Sequence, residues 1–314
     1  MVKKNQPTTY SNEIKIKKMK TFKQNMHKQI DPRLPHGPLS LFIASTCSGK
    51  TNAIINLISR RDMLLGYYKI FIFSSTYYAD GAYEANLKLD DKYISTRYSP
   101  TKVEKIIENQ LKEKEKCKKE KRPLMPVLCI IDDLSEVLQD SNLAFLLCKN
   151  RHLLVHFWIS CQSFRKTINN VIRNQCSDYV IWPQINEMET KKLSSELGGK
   201  RIEKFLDHIK KEQFAFLYIN KKSPLEIRYR KGFDTYLTLE NGVVVEHPLT
   251  LKFFPKYLKY MEDEEECGQR IMNRKKKKKK DTRTKYQKIV DRFFDLSESD
   301  EESSSSEYYE TDED

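Results

Sequence analysis

A strand, a short polar loop and a helix within the first sixty residues constrain the fold more than any other feature. Pro38–Ile43 is an apolar run that predicts a short buried strand, and Asn52–Ile58 carries apolar residues at helical spacing. The loop between them reads Ala44, Ser45, Thr46, Cys47, Ser48, Gly49, Lys50 and Thr51. A strand, a tight loop ending in Gly-Lys-Thr and a helix together predict a P-loop that binds the phosphates of a nucleotide.

The residue types of this loop suit ATP and Mg²⁺. Consecutive backbone N–H groups at the positive end of a helix form a cradle for anions. Lys50 can reach the β- and γ-phosphates, and the Thr51 hydroxyl can hold Mg²⁺. Two departures stand against the motif, because Ala44 and Cys47 occupy positions that are often glycine, and a Cβ at Cys47 is costly if the local φ is positive. A chance Gly-Lys-Thr at a helix N-terminus is the alternative. A thiol beside Lys50 at a helix N-terminus is also expected to be reactive.

A second motif follows about eighty residues later. Val127–Ile131 is the most apolar strand candidate and leads directly into Asp132 and Asp133. A buried parallel strand that ends in two carboxylates places one near Mg²⁺ and leaves the other to orient or activate water. The pattern is typical of a Walker B motif, with Asp132 assigned to the metal and Asp133 to the water. An aspartate that merely caps a helix is the alternative.

A further strand candidate ends in a polar residue, which predicts a side chain that senses the γ-phosphate. The apolar strand Leu153–Ser160 runs into Gln162, whose amide can donate to a phosphate oxygen and accept from the attacking water. In NTPases with such a sensor, this strand lies between the Walker A and Walker B strands.

Strand and helix candidates alternate from about residue 36 to about residue 235, which predicts an α/β fold with a mostly parallel, RecA-like sheet flanked by helices. The sequence predicts three parts: a basic arm (1–35), a P-loop ATPase domain (36–255) and a C-terminal extension (256–314). The further strand candidates are Lys69–Phe73, Asp178–Trp182 and Gln213–Ile219, with Leu225–Arg230 as the second strand of a hairpin. The helix candidates are Thr101–Lys121, Leu143–Leu147, Glu187–Leu197 and Arg201–Lys211.

The charge distribution favours a polyanionic partner. The formal net charge is +13, although residues 297–314 contain nine acidic and no basic side chains. The body is therefore more basic than the whole, which favours nucleic acid first and an anionic membrane surface second. The basic run Arg274–Lys280 and the acidic, serine-rich tail have the composition of disorder.

No apolar run is long enough to span a bilayer, and seven cysteines without a C-x-x-C pair indicate reduced thiols.

The loop Ala44–Thr51, the Val127–Asp133 segment and the strand ending in Gln162 after Arg151-His152 resemble the genome-packaging ATPases of large DNA viruses and virophages. These are poxvirus-type members of the FtsK/HerA superfamily, and the resemblance covers roughly residues 36 to 235. It implies an ATPase that acts as a homo-oligomeric ring, in which an arginine of one subunit stabilises the transition state in its neighbour. Arg151 is the first candidate for that finger and Arg173 the second.

The resemblance implies ATP-driven translocation of double-stranded DNA, without sequence preference, through the central channel of the ring into a preformed capsid, with viral capsid or portal-vertex proteins as partners. It places the protein in the cytoplasmic virus factory or the nucleus of a host cell, or in the virion. Two alternatives stay open: another DNA-directed P-loop ATPase, such as a helicase or partition motor, and a nonenzymatic DNA-binding protein with a degenerate P-loop.

Overall fold

The computed structural model describes residues 30–262 except 80, 88, 135–140, 165–167 and 184–185. The chain divides into two units, Met1–Tyr257 and Leu258–Asp314, and every element named below lies in the first. The run Arg274–Lys280, the acidic tail and most of the basic arm lie outside the described residues. The predicted division into three parts stays a prediction.

Ten strands form one sheet in the described part of the chain. Its order is β10-β9-β8-β7-β6-β1-β5-β4-β2-β3. The strands are β1 Leu39–Ile43, β2 Lys69–Ser74, β3 Ile94–Ser95, β4 Val127–Asp132, β5 Val155–Cys161, β6 Asp178–Ile181, β7 Leu217–Asn220, β8 Tyr229–Lys231, β9 Thr235–Glu240 and β10 Val243–Pro248.

Helices lie between the successive strands from β1 to β7. They are α1 Lys50–Ile58, α2 Arg61–Gly66, α3 Ala82–Asn86, α4 Pro100–Glu120, α5 Ser141–Leu153, α6 Asn170–Gln175, α7 Glu187–Leu197 and α8 Lys200–Ile209. None of the helices in the described part of the chain has the length and apolar character needed to cross a membrane.

The sheet consists of a parallel part and an antiparallel extension. β6, β1, β5, β4, β2 and β3 pair in parallel, whereas β7, β8, β9 and β10 continue from β6 in antiparallel order. β5 pairs with β1 on one side and with β4 on the other. The predicted placement of the Gln162 strand between the P-loop strand and the Walker B strand is thereby confirmed.

The sheet is buried on both faces, as the unbroken apolar runs of its central strands require. Every residue of β1, β4 and β5 is buried. One apolar cluster joins the sheet to α4, α5, α7 and α8, and a second joins its other face to α1 and the segment around α2 and α3. The predicted α/β class with a mostly parallel sheet flanked by helices is confirmed.

Several predicted boundaries differ from the structure. The second strand of the predicted hairpin starts at Tyr229 rather than Leu225, because Leu225–Ile227 forms a 3-10 helix. α5 continues to Leu153, and Leu154 turns the chain with a φ of 53°, so the strand starts at Val155 rather than Leu153. β7 starts at Leu217 rather than at residue 213, because Phe214 has a φ of 61° and cannot belong to a strand. The hairpin of β9 and β10 extends the sheet beyond the predicted end of the alternating core near residue 235.

Candidate nucleotide-binding site

The P-loop connects β1 to α1 and has the backbone shape of an anion cradle. Gly49 lies in the left-handed region with φ 87° and ψ 13°, directly before the first residue of α1. No side chain caps this end of the helix, so its first N–H groups are available to a ligand. The Ser45 and Ser48 hydroxyl oxygens lie 2.9 Å apart and close the loop across its base.

The two departures from the glycine-rich pattern differ in consequence. Ala44 is fully buried and has no positive φ, so its methyl group is accommodated. Cys47 has a φ of 61° and its side chain is exposed. The backbone at Cys47 therefore adopts the conformation that glycine adopts at lowest cost.

Lys50 lies on the first turn of α1 and points toward the tip of β4. Its side chain is only 8% exposed, and Nζ lies 3.9 Å from Asp133 Oδ1. That separation exceeds a direct hydrogen bond. An ammonium held over the P-loop and next to this carboxylate is placed to neutralise phosphate oxygens.

Asp132 ends β4 and is completely buried. Thr51 Oγ1 donates to its Oδ2 at 3.1 Å, and the Tyr83 hydroxyl donates to the same oxygen at 2.7 Å. Ser160 of β5 donates to Oδ1. Three hydroxyl donors compensate for the burial of this carboxylate and fix its orientation.

Asp133 lies next to Asp132, but its side chain faces outward and is 39% exposed. Its φ of 56° turns the chain sharply after β4, and its N–H donates to Ser160 Oγ at 3.0 Å. Gln162 Nε2 donates to Asp133 Oδ1 at 3.2 Å. Asp133 therefore lies between the predicted sensor amide and Lys50.

The structure thus brings five predicted residues into one cluster at the carboxyl ends of the parallel strands: Lys50, Thr51, Asp132, Asp133 and Gln162. Sequence reasoning missed two of their partners. Ser160 had a usable signal in the sequence, since it is a hydroxyl near the end of a largely apolar strand, two residues before Gln162. The sequence gives no signal for Tyr83, because this residue lies in a connection without a recognisable motif. Its ring stacks on Tyr77.

The two candidate arginine fingers lie outside this cluster. Arg151 is exposed in the last turn of α5, where the neighbouring Asn150 Nδ2 donates to Pro38 O, just before β1 begins. This is the edge of the sheet opposite the P-loop, so Arg151 lies away from the cluster of its own subunit. Arg173 is buried, donates to the Phe164 carbonyl and pairs with Glu196 at 3.4 Å. Its guanidinium is occupied within its own subunit, and we therefore prefer Arg151.

The cysteines near the site differ in environment. Burial raises the pKa of the Cys161 thiol to about 12, opposed by the nearby Lys50. Cys161 is therefore a protonated, unreactive thiol at neutral pH. Cys47 in the P-loop is exposed to solvent and is the accessible thiol of the site.

The donor set at Thr51 and Asp132 fits Mg²⁺. The ion prefers oxygen ligands and uses one or two protein groups together with phosphates and water. The Thr51 hydroxyl and the Asp132 carboxylate lie within 3.1 Å of each other and supply such oxygens. Among the described residues, no group of three or more His, Cys, Asp or Glu side chains forms a metal cluster.

Comparisons with known proteins match the chain to a poxvirus protein family. A family model described as Poxvirus A32 protein matches residues 33–221, a span that includes the whole cluster around Asp132 and Asp133. No curated protein matches the chain.

Solved structures match the chain at low identity and with TM-scores below 0.5. The genome packaging NTPase B204 from Sulfolobus turreted icosahedral virus 2, in complex with AMPPCP, is 15% identical and has a TM-score of 0.44, covering 68% of this chain and 98% of that chain. The cytoplasmic domain of the Type VII secretion ATPase EccC from Thermomonospora curvata is 12% identical, with a TM-score of 0.40 over 60% of this chain and 25% of that one.

Proposed function

Because the chain belongs to the family of the poxvirus A32 protein and is a P-loop ATPase, we propose that it uses ATP hydrolysis to move double-stranded viral DNA into a preformed capsid. The observation that carries this proposal is the contact of the P-loop Thr51 with Asp132, next to the Asp133–Gln162 pair. Phosphate cradle, metal ligands, water-orienting carboxylate and sensor amide thereby meet at one edge of the sheet.

Each residue of the cluster has a role in this reaction. The N–H groups at the start of α1 and the Lys50 ammonium bind the β- and γ-phosphates and neutralise charge that develops during transfer. Asp133 accepts a hydrogen bond from the attacking water and orients it toward the γ-phosphorus. Gln162 already donates to Asp133, so its amide can respond to the γ-phosphate and adjust that carboxylate at the same time.

Thr51 and Asp132 would hold Mg²⁺, which neutralises phosphate oxygens when it is bound. Ser160 and Tyr83 bind the Asp132 carboxylate that would hold the ion. Their hydroxyls hold Asp132 in place in a fully buried setting, which reduces the freedom that the carboxylate would otherwise lose on binding.

The proposed binding of DNA is supported by the charge of the chain rather than by a surface that would recognise a base sequence. The chain has a net charge of +13, and contacts of lysine and arginine with phosphates bind a duplex without reading its sequence. A motor that moves a whole genome requires this lack of preference.

We further propose that the active form is a homo-oligomeric ring in which Arg151 reaches the site of the adjacent subunit. Capsid or portal-vertex proteins would be its partners, in the cytoplasmic virus factory or the nucleus of the host cell or in the virion. The position of Arg151 at the sheet edge opposite its own P-loop supports the ring.

The test is ATP hydrolysis with and without long double-stranded DNA, for the wild type, Lys50→Ala and Asp133→Asn. We expect DNA of any sequence to stimulate the wild type, both variants to be inactive, and DNA affinity to fall steeply with salt. DNA binding without hydrolysis above the variants would instead indicate a structural DNA-binding protein with a degenerate P-loop. Stimulation restricted to forked or single-stranded DNA would indicate a helicase.

A further inference from the structure

The turn between α8 and β7 contains an aromatic residue in an unusual conformation. Phe214 has a φ of 61°, a left-handed backbone that is a rare outlier for a bulky residue, and the residue is 55% exposed. Both features are unfavourable in isolation, because the backbone is strained and the phenyl ring faces water. Strained residues of this kind concentrate at ligand sites.

The Phe214 ring lies against the P-loop. A Cβ added to Gly49 would lie 3.3 Å from Phe214 Cδ1, so the glycine before Lys50 leaves room for the ring. β7 begins at Leu217, which pairs with Ile181 at the end of β6. The turn that precedes β7 is therefore at the same sheet edge as the nucleotide cradle.

Phe214 approaches the cradle from the side opposite the catalytic carboxylates. β1 has β5 and then β4, with Gln162 and Asp133 at their tips, on one side, and β6 and β7 on the other. A triphosphate whose γ-phosphate lies between Lys50 and Asp133 must leave the P-loop away from those residues. Its nucleoside then extends toward the β6 and β7 side, where the exposed ring lies.

We propose that Phe214 is a stacking platform for the base of the bound nucleotide, an inference that rests on the proposed ATPase function. Stacking covers the exposed phenyl ring and uses the π-face that every base offers. A phenyl ring has no hydrogen-bonding groups with which to read base edges. Phe214 therefore strengthens binding of ATP and GTP alike and does not select between them.

The proposal is tested by isothermal titration of ATP, GTP and inorganic tripolyphosphate, each with Mg²⁺, into the wild type, Phe214→Ala and Phe214→Trp. Alanine substitution at a base-stacking aromatic typically costs at least about fivefold in affinity. We expect Phe214→Ala to weaken ATP and GTP about tenfold and to leave tripolyphosphate within about twofold. Phe214→Trp retains wild-type affinity, and ATP quenches the fluorescence of the new indole.

Leu225→Ala is the matched control. Leu225 is also 55% exposed, but it follows the far end of β7 and so lies at the opposite edge of the sheet. Its substitution removes similar exposed apolar surface and leaves the affinities for ATP, GTP and tripolyphosphate unchanged.

Two results would overturn the stacking role: an unchanged ATP affinity in Phe214→Ala, or an equal weakening of tripolyphosphate, which would mean that the ring only supports the loop. If Phe214→Ala does not fold, Phe214→Leu takes its place, since leucine keeps apolar volume and lacks the π-face. Lys50→Ala distinguishes a loss of phosphate binding from a loss of base stacking, because it removes the binding of tripolyphosphate as well as that of ATP and GTP. A wild type that binds none of the three ligands overturns the proposed function and this inference with it.

Discussion

Replacing Cys47 by glycine is expected to stabilise the protein, which is unusual for a change inside a functional loop. Cys47 has a φ of 61°, and an L-residue in the left-handed region costs about 1–2 kcal/mol. The thiol is exposed, so its removal uncovers little apolar surface. Glycine has greater freedom in the unfolded chain, which opposes the gain by about 0.4–1 kcal/mol.

The net effect is an increase of about 0.5–1 kcal/mol in the free energy of unfolding of Cys47→Gly. For a domain of more than 150 residues, this corresponds to a rise of about 1–4 °C in Tm. The assay is thermal unfolding without nucleotide, followed by circular dichroism, together with the rate of ATP hydrolysis. Because the loop keeps its shape, we expect that rate to be equal to or greater than that of the wild type.

Two controls make the result interpretable. Lys121 has a φ of 55°, is exposed and caps the C-terminus of α4 far from the P-loop, so Lys121→Gly gives a similar rise in Tm without a change in ATP hydrolysis. Ala44→Gly acts in the opposite direction. It removes a fully buried methyl group at a residue without positive φ and lowers stability by about 1–2 kcal/mol. A fall in Tm for Cys47→Gly beside a rise for Lys121→Gly would refute the strain argument.

Three further predictions address the site. Asp133→Asn keeps a residue that tolerates the left-handed region, so ATP binding and Tm stay within error while hydrolysis falls at least about 100-fold; retained hydrolysis would exclude Asp133 as the water-orienting group. Tyr83→Phe removes one of three hydrogen-bond donors to Asp132 and lowers the free energy of unfolding by about 1–3 kcal/mol, measured by urea denaturation. An unchanged midpoint of the urea denaturation curve would mean that the hydroxyl is dispensable. Arg151→Ala is inactive alone and regains activity when mixed with Asp133→Asn, because each subunit supplies what its neighbour lacks; no recovery in mixed assemblies would argue against a finger in trans.

The fold was predictable because its central strands are short apolar runs that end in chemically distinctive residues. A strand that ends in Asp132-Asp133 and another that runs into Gln162 indicate parallel strands whose carboxyl ends meet at one edge. The two motifs and the sensor strand were sufficient to predict the order β1, β5, β4, which the hydrogen-bond register confirms.

The errors arose where a turn interrupts an apolar run. Leu154 and Phe214 both have positive φ, yet each is part of an apolar stretch that resembles a strand. The β9–β10 hairpin had a local signal that was not used, since Asn241-Gly242 lies between two alternating segments and both residues have positive φ. The contacts of Asp132 with Tyr83 and of Gly49 with Phe214 join distant segments of the chain, and no local pattern encodes them.

The placement of Ser160 has a consequence for folding as well as for catalysis. β5 is buried along its whole length, so an alternation of polar and apolar residues cannot select how it slides between β1 and β4 during assembly of the sheet. A slip of one residue would turn the Ser160 hydroxyl to the other face and place an apolar side chain beside Asp132 and the Asp133 N–H. The two hydrogen bonds of Ser160 therefore form in the native register of β5 and are lost when the strand slips by one residue. A residue of the site thus also fixes the register of the central strand.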